Sequence, residues 1–248
     1  MKRMKQWAAL CGVAAFLLAG AMYAVAADKA DAPKDDSAKT AAAKEGGADK
    51  ADAPKPDADG FYELFNGKDL SGWKVGENPE TFKVQDGLIV VNGKGPAHLF
   101  YVGPVHDHDF KNFHLRAEVM TFPHANSGIY FHTKFQESGW PSQGFECQVN
   151  QTHSDPKKTG GLYAIKDVMN VPPAEDNKWF TYDIIVEGKH VVLKIDGKTT
   201  TDWTQPADYK PPRDMAGRFL QHGTIALQGH DPGSKVEYKS VKIKPLPE

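Results

Sequence analysis

Glu146 and Gln148 stand two residues apart in the run Gly144-Phe145-Glu146-Cys147-Gln148-Val149-Asn150, which alternates apolar and polar side chains. On a strand both would point to the same face. The carboxylate can take a proton or ligate a cation, whereas the amide, which does not titrate, can only orient a ligand's hydroxyls. His230, two residues after Gln228, closes a second alternating run and offers an imidazole for proton transfer. Glu118 and Arg116 share a third run, and Tyr130 and His132 a fourth. The fourth is entered through Asn126-Ser127-Gly128, whose amides could face a ligand or make a tight strand-entry turn. Trp140, in Gly139-Trp140-Pro141, reads as an aromatic platform on a loop. Carboxylate and imidazole groups can exchange a proton, and amide and aromatic groups can hold a ligand beside them. Each residue also has a structural reading: Glu146 as a half-buried carboxylate satisfied by Arg116 or a backbone amide, Glu118 and His132 as members of a polar network, and His230 as a hydrogen-bonded surface side chain.

The elements that would carry these residues read as strands. From residue 60 onward the dominant period is two. Phe113, Leu115, Ala117 and Val119 alternate with His114, Arg116, Glu118 and Met120, and Ile225 and Leu227 with Ala226 and Gln228. Gly188-Lys189-His190 and Asp196-Gly197 read as hairpin turns. Ala207–Leu220 cannot form a helix across Pro211 and Pro212. Many short strands with Gly and Pro turns predict an all-β sandwich or barrel. One face of these strands is plainly apolar. The other is richer in His, Glu, Gln, Asn, Arg and Tyr than a merely wetted face, so adjacent strands would line a curved polar groove. Of the other tryptophans, Trp179, at the start of the Thr181–Glu187 strand, reads as core. His106-Asp107-His108-Asp109 reads as an exposed loop rather than a metal site.

The 248 residues divide into three compositional regimes. Residues 1–27 carry three basic residues and no acid, with Lys2, Arg3 and Lys5 ahead of an uncharged run and Ala24-Val25-Ala26 supplying a small-x-small cleavage pattern. This predicts a signal peptide and an exported chain, periplasmic or extracellular in a bacterium, with no membrane span once the signal is cleaved. Residues 28–59 hold six Lys, nine acids, ten Ala and no larger aliphatic, too little apolar area to offset ordering, and predict a disordered linker. Residues 60–248 hold 23 of the 26 aromatics and 21 basic against 23 acidic residues. No basic stripe is present, which argues against a nucleic-acid partner. Cys147 is the single cysteine after residue 27, so no intramolecular disulfide can form and the core alone must hold the domain.

Several blocks carry a resemblance. Phe61-Tyr62-Glu63-Leu64-Phe65-Asn66-Gly67-Lys68-Asp69-Leu70-Ser71-Gly72-Trp73 is similar to the opening signature of the 3-keto-disaccharide hydrolase family, whose members are also described as 3-keto-glucoside lyases and hydratases. Asn126-Ser127-Gly128-Ile129-Tyr130-Phe131, Gly144–Val149, Thr159-Gly160-Gly161-Leu162-Tyr163 and Gly223–His230 follow in order. The resemblance covers nearly all of residues 60–248. It implies a concanavalin-like jelly roll of two antiparallel sheets, and an enzyme acting on glycosides already oxidised at C3 by a separate oxidoreductase. A C3 ketone acidifies the C2 proton, so a base can remove it and the C1 aglycone can leave by β-elimination. Hydration of the resulting 2-hydroxy-3-keto-glucal completes a net hydrolysis. Such a site needs a base near C2 and stabilisation of an enolate at O3. A divalent cation could serve the second need, with Glu146 and His230 as candidate ligands. The chain departs from the family at His132, where Arg is usual, which replaces a permanent cation with a pH-dependent one.

Of two other functions, one fails on these residues and one fits them. An ordinary retaining glycoside hydrolase of this fold needs a second carboxylate about 5 Å from the first, and the spacing Glu-x-Asp-x-Glu is here Glu146-Cys147-Gln148-Val149-Asn150, with amides at the second and third places. A non-catalytic carbohydrate-binding module remains the alternative, because fold alone decides nothing about chemistry.

Overall fold

The computed structural model describes residues 53–248; the signal sequence and most of the linker read above lie outside the described residues. Fifteen strands follow in chain order. They are β1 (Tyr62–Glu63), β2 (Trp73–Val75), β3 (Phe82–Gln85), β4 (Leu88–Asn92), β5 (Ala97–Tyr101), β6 (Phe113–Thr121), β7 (Ser127–Thr133) and β8 (Phe145–Val149). After these come β9 (Lys157–Leu162), β10 (Lys166–Met169), β11 (Trp179–Glu187), β12 (His190–Ile195), β13 (Lys198–Thr204), β14 (Thr224–Gly229) and β15 (Lys235–Pro245). Two short 3₁₀ turns, Pro79–Thr81 and Val105–His108, are the helical segments among them. No helix among the described residues is long and apolar enough to cross a membrane.

The strands form two antiparallel sheets. The outer sheet runs β13-β12-β11-β6-β15-β4-β3, with β1 added to β15. The site sheet runs β10-β9-β8-β7-β14-β5-β2. The all-β sandwich expected from the period-two pattern, and the two-sheet jelly roll implied by the resemblance, are therefore the class observed. Two-residue hairpins close at Asp86-Gly87, Gly188-Lys189 and Asp196-Gly197. In the first and third, both central residues take positive φ, the geometry that matches strand twist and that Asp-Gly adopts readily.

Alternation decides what each sheet buries. On β6, Phe113, Leu115, Ala117 and Val119 are fully buried while their neighbours are half exposed. They face Ile129, Phe131, Phe145, Cys147, Val149, Ile225 and Leu227 of the site sheet in one continuous core. Phe131 stacks on Phe145 at 5.5 Å and meets Phe113 edge-on at 5.8 Å, which ties the two layers together.

The outward face of the outer sheet is a closed polar network. Asp183 on β11 accepts from His114 Nε2 and Arg116 Nε, each at 2.7 Å, and Phe61 packs beside both. Burial pushes the Asp183 carboxyl up, but these two donors outweigh it and hold it below the ordinary value of 3.8. Its contribution to stability is thus present above pH 3.8 and fades as pH falls through the lower, folded value. Asp183→Asn should destabilise the fold by about 1–3 kcal/mol at neutral pH. In urea unfolding the difference from wild type should shrink as the pH is taken below 3.8. An undiminished difference at low pH would contradict the assignment.

Candidate functional site

The outward face of the site sheet is built differently. Across its middle, Glu146 on β8 lies opposite Tyr130 on β7, Tyr130 opposite Ala226 on β14, and Ala226 opposite Phe100 on β5. One step along, Gln148 pairs with Gly128, and Gln228 with His98. Gly128 decides how these rows meet. A Cβ there would lie 2.7 Å from Glu146 Oε1 and 2.8 Å from its Cγ, so only glycine leaves room for the carboxylate. Through that opening Gln228 Nε2 reaches both Glu146 Oε1 and Tyr130 Oη, each at 3.1 Å. Tyr130 Oη in turn donates to Glu146 Oε2 at 2.8 Å.

Loops raise walls around this floor. Gln136 clamps the loop that follows β7: its Nε2 donates to the carbonyls of Ser138, Gly139 and Trp140, and its Oε1 accepts from Ser142 N. The clamp presents Trp140, 47% exposed, at the lip against His98 and His230. Opposite, the segment after Pro211-Pro212 turns at Met215 and docks on the 142–144 backbone, with Gly144 N bonded to Gly217 O. A Cβ on Gly217 would fall on the Ser142 carbonyl, so glycine is required for that close approach. The docked turn holds Arg218 over the Tyr130 ring, with Nη2 3.6 Å from Glu146 Oε2. His230 and Tyr163 complete a cleft of about 580 Å³, a size suited to small-molecule ligands.

The electrostatics follow from burial. Glu146 is 6% exposed, and desolvation raises its carboxyl above the ordinary 4.5; Arg218, Tyr130 and Gln228 act against that rise. Burial and the Glu146 charge push the Tyr130 phenol well upward, so it remains a donor. Burial and nearby His230 lower His98 to about 3, leaving a neutral imidazole. Several buried polar atoms around the cleft make no hydrogen bond within the protein: Asn126 Oδ1, Gln148 Oε1, Gln228 Oε1, Arg218 Nη1 and His98 Nε2. Buried polar groups are rarely left so. Four of these five belong to residues lining the cleft, where a hydroxylated ligand would satisfy them.

Of the residues singled out from sequence, Glu146, His230, Gln148, Asn126, Tyr130, Gln228 and Trp140 come together here. Three do not. Glu118 and Arg116 sit on β6 of the outer sheet, where Glu118 accepts from Thr181 Oγ1 at 2.8 Å and Arg116 pairs with Asp183. Strand alternation was read correctly on β6, but its polar face belongs to the opposite side of the sandwich. His132 should by alternation share the face of Tyr130. Instead a bulge in the β7–β14 pairing, with His132 at φ 54°, turns the ring inward against Phe113. There its Nε2 donates to Lys111 O and its Nδ1 accepts from Gln221 N. Burial lowers it to about 4, so it is a neutral structural imidazole and not a substitute cation. Trp179, read as core, is 39% exposed in a shallow recess beside Pro172 and Pro173.

The permanent cation is Arg218, which sequence reasoning missed because it lies in a loop 72 residues from Glu146 with no periodicity to mark it. His98 was also missed; its strand, Ala-His-Leu-Phe-Tyr, shows only that a His occupies the face of Phe100. A divalent cation does not fit this arrangement. The Glu146 oxygens are engaged by a phenol, an amide N–H and a guanidinium. No group of three His, Cys, Asp or Glu with metal-binding geometry exists among the described residues.

Comparison with known proteins now decides the family. Residues 60–244 match the 3-keto-alpha-glucoside-1,2-lyase-like domain. The chain belongs to that family. Among solved structures, two Parabacteroides distasonis proteins provisionally named glycosyl hydrolases share the fold. One is 24% identical, with a TM-score of 0.63, covering 77% of this chain and 95% of its own. The other is 21% identical, with a TM-score of 0.59, covering 75% and 99%. A Bacillus subtilis protein with a galectin-like fold matches at 12% identity and a TM-score of 0.54, covering 74% and 94%. No curated protein matches the sequence. As a 3-keto-alpha-glucoside-1,2-lyase-like domain, the chain falls among carbohydrate-active proteins, and the cleft over the site sheet is the candidate place of that activity.

Gly128→Ala should displace Glu146 from the Tyr130–Gln228 pair and lower the domain's carbohydrate-directed activity roughly tenfold or more. The matched control, Glu118→Gln on the opposite sheet, should stay within about twofold of wild type. Equal losses in the two variants would contradict the placement of the site.

Proposed function

We propose that this protein cleaves 3-keto-glycosides by proton abstraction from C2 and β-elimination of the C1 aglycone, followed by hydration of the enone to give net hydrolysis. The observation that carries the reading is Glu146: a buried carboxylate with raised basicity, facing a sugar-sized cleft and engaged by three partners. A carboxylate offers about four lone-pair sites, so one remains for an incoming C–H proton. Arg218, with Nη1 free and the guanidinium beside Glu146, is suited to the negative charge that develops on O3 as the enolate forms. Asn126 Oδ1, Gln148 Oε1 and Gln228 Oε1 offer acceptors for the unreacted hydroxyls, and Trp140 offers a ring face at the lip.

The partners implied are a small glycoside and an upstream oxidoreductase that installs the ketone. Export to the periplasm or the extracellular space, with a signal peptide over residues 1–27, belongs to the same reading. A carbohydrate-binding module is the second reading, favoured by the same free amide oxygens and exposed Trp140, and it differs by predicting no turnover.

Glu146→Gln should lower kcat on a chromogenic 3-keto-glucoside by a factor on the order of 10²–10⁴, and calorimetry should still detect binding. Wild type should release nothing from the unoxidised parent and should exchange the C2 proton of a 3-keto sugar with solvent deuterium. Because burial raises the Glu146 carboxyl, the acid limb of kcat/KM should lie above pH 4.5, with activity falling as pH drops through the raised value and protonates the base. Sugar binding with no exchange and no release would transfer the assignment to the binding module.

A further inference from the structure

The elimination reading leaves a need that Glu146 does not meet. As the C1–O bond breaks, the aglycone oxygen gains an electron pair, and an unactivated alkoxide leaves slowly unless it is protonated as it departs. Glu146 is by then the protonated partner of the C2 hydrogen, buried on the floor of the cleft. His230 lines the same cleft from the end of β14, beside Trp140 at the lip, with ring centroids 5.2 Å apart. Its Nδ1 is 2.8 Å from Asp231 Oδ1. An ionised carboxylate only accepts, so Nδ1 carries a hydrogen and Nε2 is the atom left to exchange a proton with a ligand.

Asp231 is itself fixed. Ser234 Oγ donates to the same Oδ1 at 2.7 Å, and the Ser234 hydroxyl oxygen accepts from Asn126 N at 2.8 Å. His153 Nε2 stands 3.6 Å from Oδ2. His153 Nδ1 accepts from Asp155 N, so Nε2 carries a hydrogen and faces Asp231. Burial would raise the Asp231 carboxyl, but Ser234, His230 and the nearby His153 outweigh it and hold the group below the ordinary value, ionised. The charged and titratable groups around His230 are then Asp231 and His153, with Glu146 on β8 and His98 on β5 acting at longer range.

Resting on the elimination reading, we propose that His230 is the acid that protonates the departing aglycone and that Asp231 is the positioning residue that aims its Nε2 into the cleft. In the step, Glu146 takes the C2 proton and the C2–H electron pair passes into the enolate. The C3 carbonyl reforms as C1=C2 forms. The C1–O pair leaves with the aglycone oxygen, which takes the Nε2 proton of His230, protonated on both ring nitrogens at the start of the step, and departs as a neutral alcohol. His230 is left neutral and able to accept a proton from the water that adds to C1 in the hydration. No oxidant or reductant enters.

The experiment compares kcat/KM of the full chain on 3-keto-glucosides with 4-nitrophenyl and methyl aglycones, for wild type, His230→Gln and Asp231→Asn, alongside C2 deuterium exchange. A nitrophenolate leaves without help and a methoxide does not. Both variants should therefore widen the nitrophenyl-to-methyl ratio by roughly 10²-fold or more, while C2 exchange persists. If both variants keep the wild-type ratio, the acid role is overturned and the elimination reading stands. If wild type neither exchanges C2 nor releases either aglycone, the elimination reading fails and the acid role fails with it. Should Asp231→Asn unfold through loss of the Ser234 contact, His230→Gln alone decides.

Discussion

A carboxylate in the middle of a β-sheet, 6% exposed, must be compensated where it stands. That single requirement explains much of the architecture around Glu146. The residue opposite it is a tyrosine, because a phenol can hydrogen-bond the charge while its ring covers the sheet. The residue diagonal to it is glycine, because any side chain would occupy the carboxylate's own volume. Gln228 can then approach from the next strand. The remaining charge is met by Arg218, which no strand of the sheet supplies, so a loop has to bring it. The Pro-rich segment after residue 205 and the glycine contact at Gly217 exist in a form that achieves this.

Compensation is deliberately incomplete in chemical terms. Burial still raises the Glu146 carboxyl despite three partners, and five buried polar atoms on the same side of the sheet have no protein partner at all. On the opposite face the balance differs: Asp183 takes His114 and Arg116 on one oxygen, and its carboxyl is held low. The two outward faces thus use similar residue types differently: one holds its carboxylate low, and the other raises it among polar atoms with no protein partner. Unsatisfied groups cost stability, and the core between the sheets, tied by Phe113, Phe131 and Phe145, supplies what offsets them.

This contrast also marks how far the sequence could be read. The alternation of β6, β7, β8 and β14 was legible because a strand's side-chain period is local, and it led to the sandwich and to most of the cleft floor. Period two assigns a residue to a face, but it does not say which sheet a strand joins. Glu118 and Arg116 were therefore grouped with Glu146, although the whole core lies between them. His132 was lost to a single bulge residue, invisible in a pattern of alternation. Arg218 had no local signal of any kind, since a loop residue gains its role only from where the loop docks. What is set by neighbours in sequence was readable, and what is set by neighbours in space was not.

The same distinction applies to position 132 itself. The ring that stands there is buried, neutral and bonded to two backbone groups, so a guanidinium at that site would have to displace an inward packing against Phe113. Beside the carboxylate the permanent cation is Arg218, whose charge acts against the rise that burial causes. A buried carboxylate keeps its charge only where donors hold the anion, and each added donor also weakens it as a base. One guanidinium, one phenol and one amide bring Glu146 to that balance, with its carboxyl still above the ordinary value. The two residues thus do different work: His132, turned inward by the bulge, packs on Phe113, while Arg218, carried by the loop, faces the carboxylate.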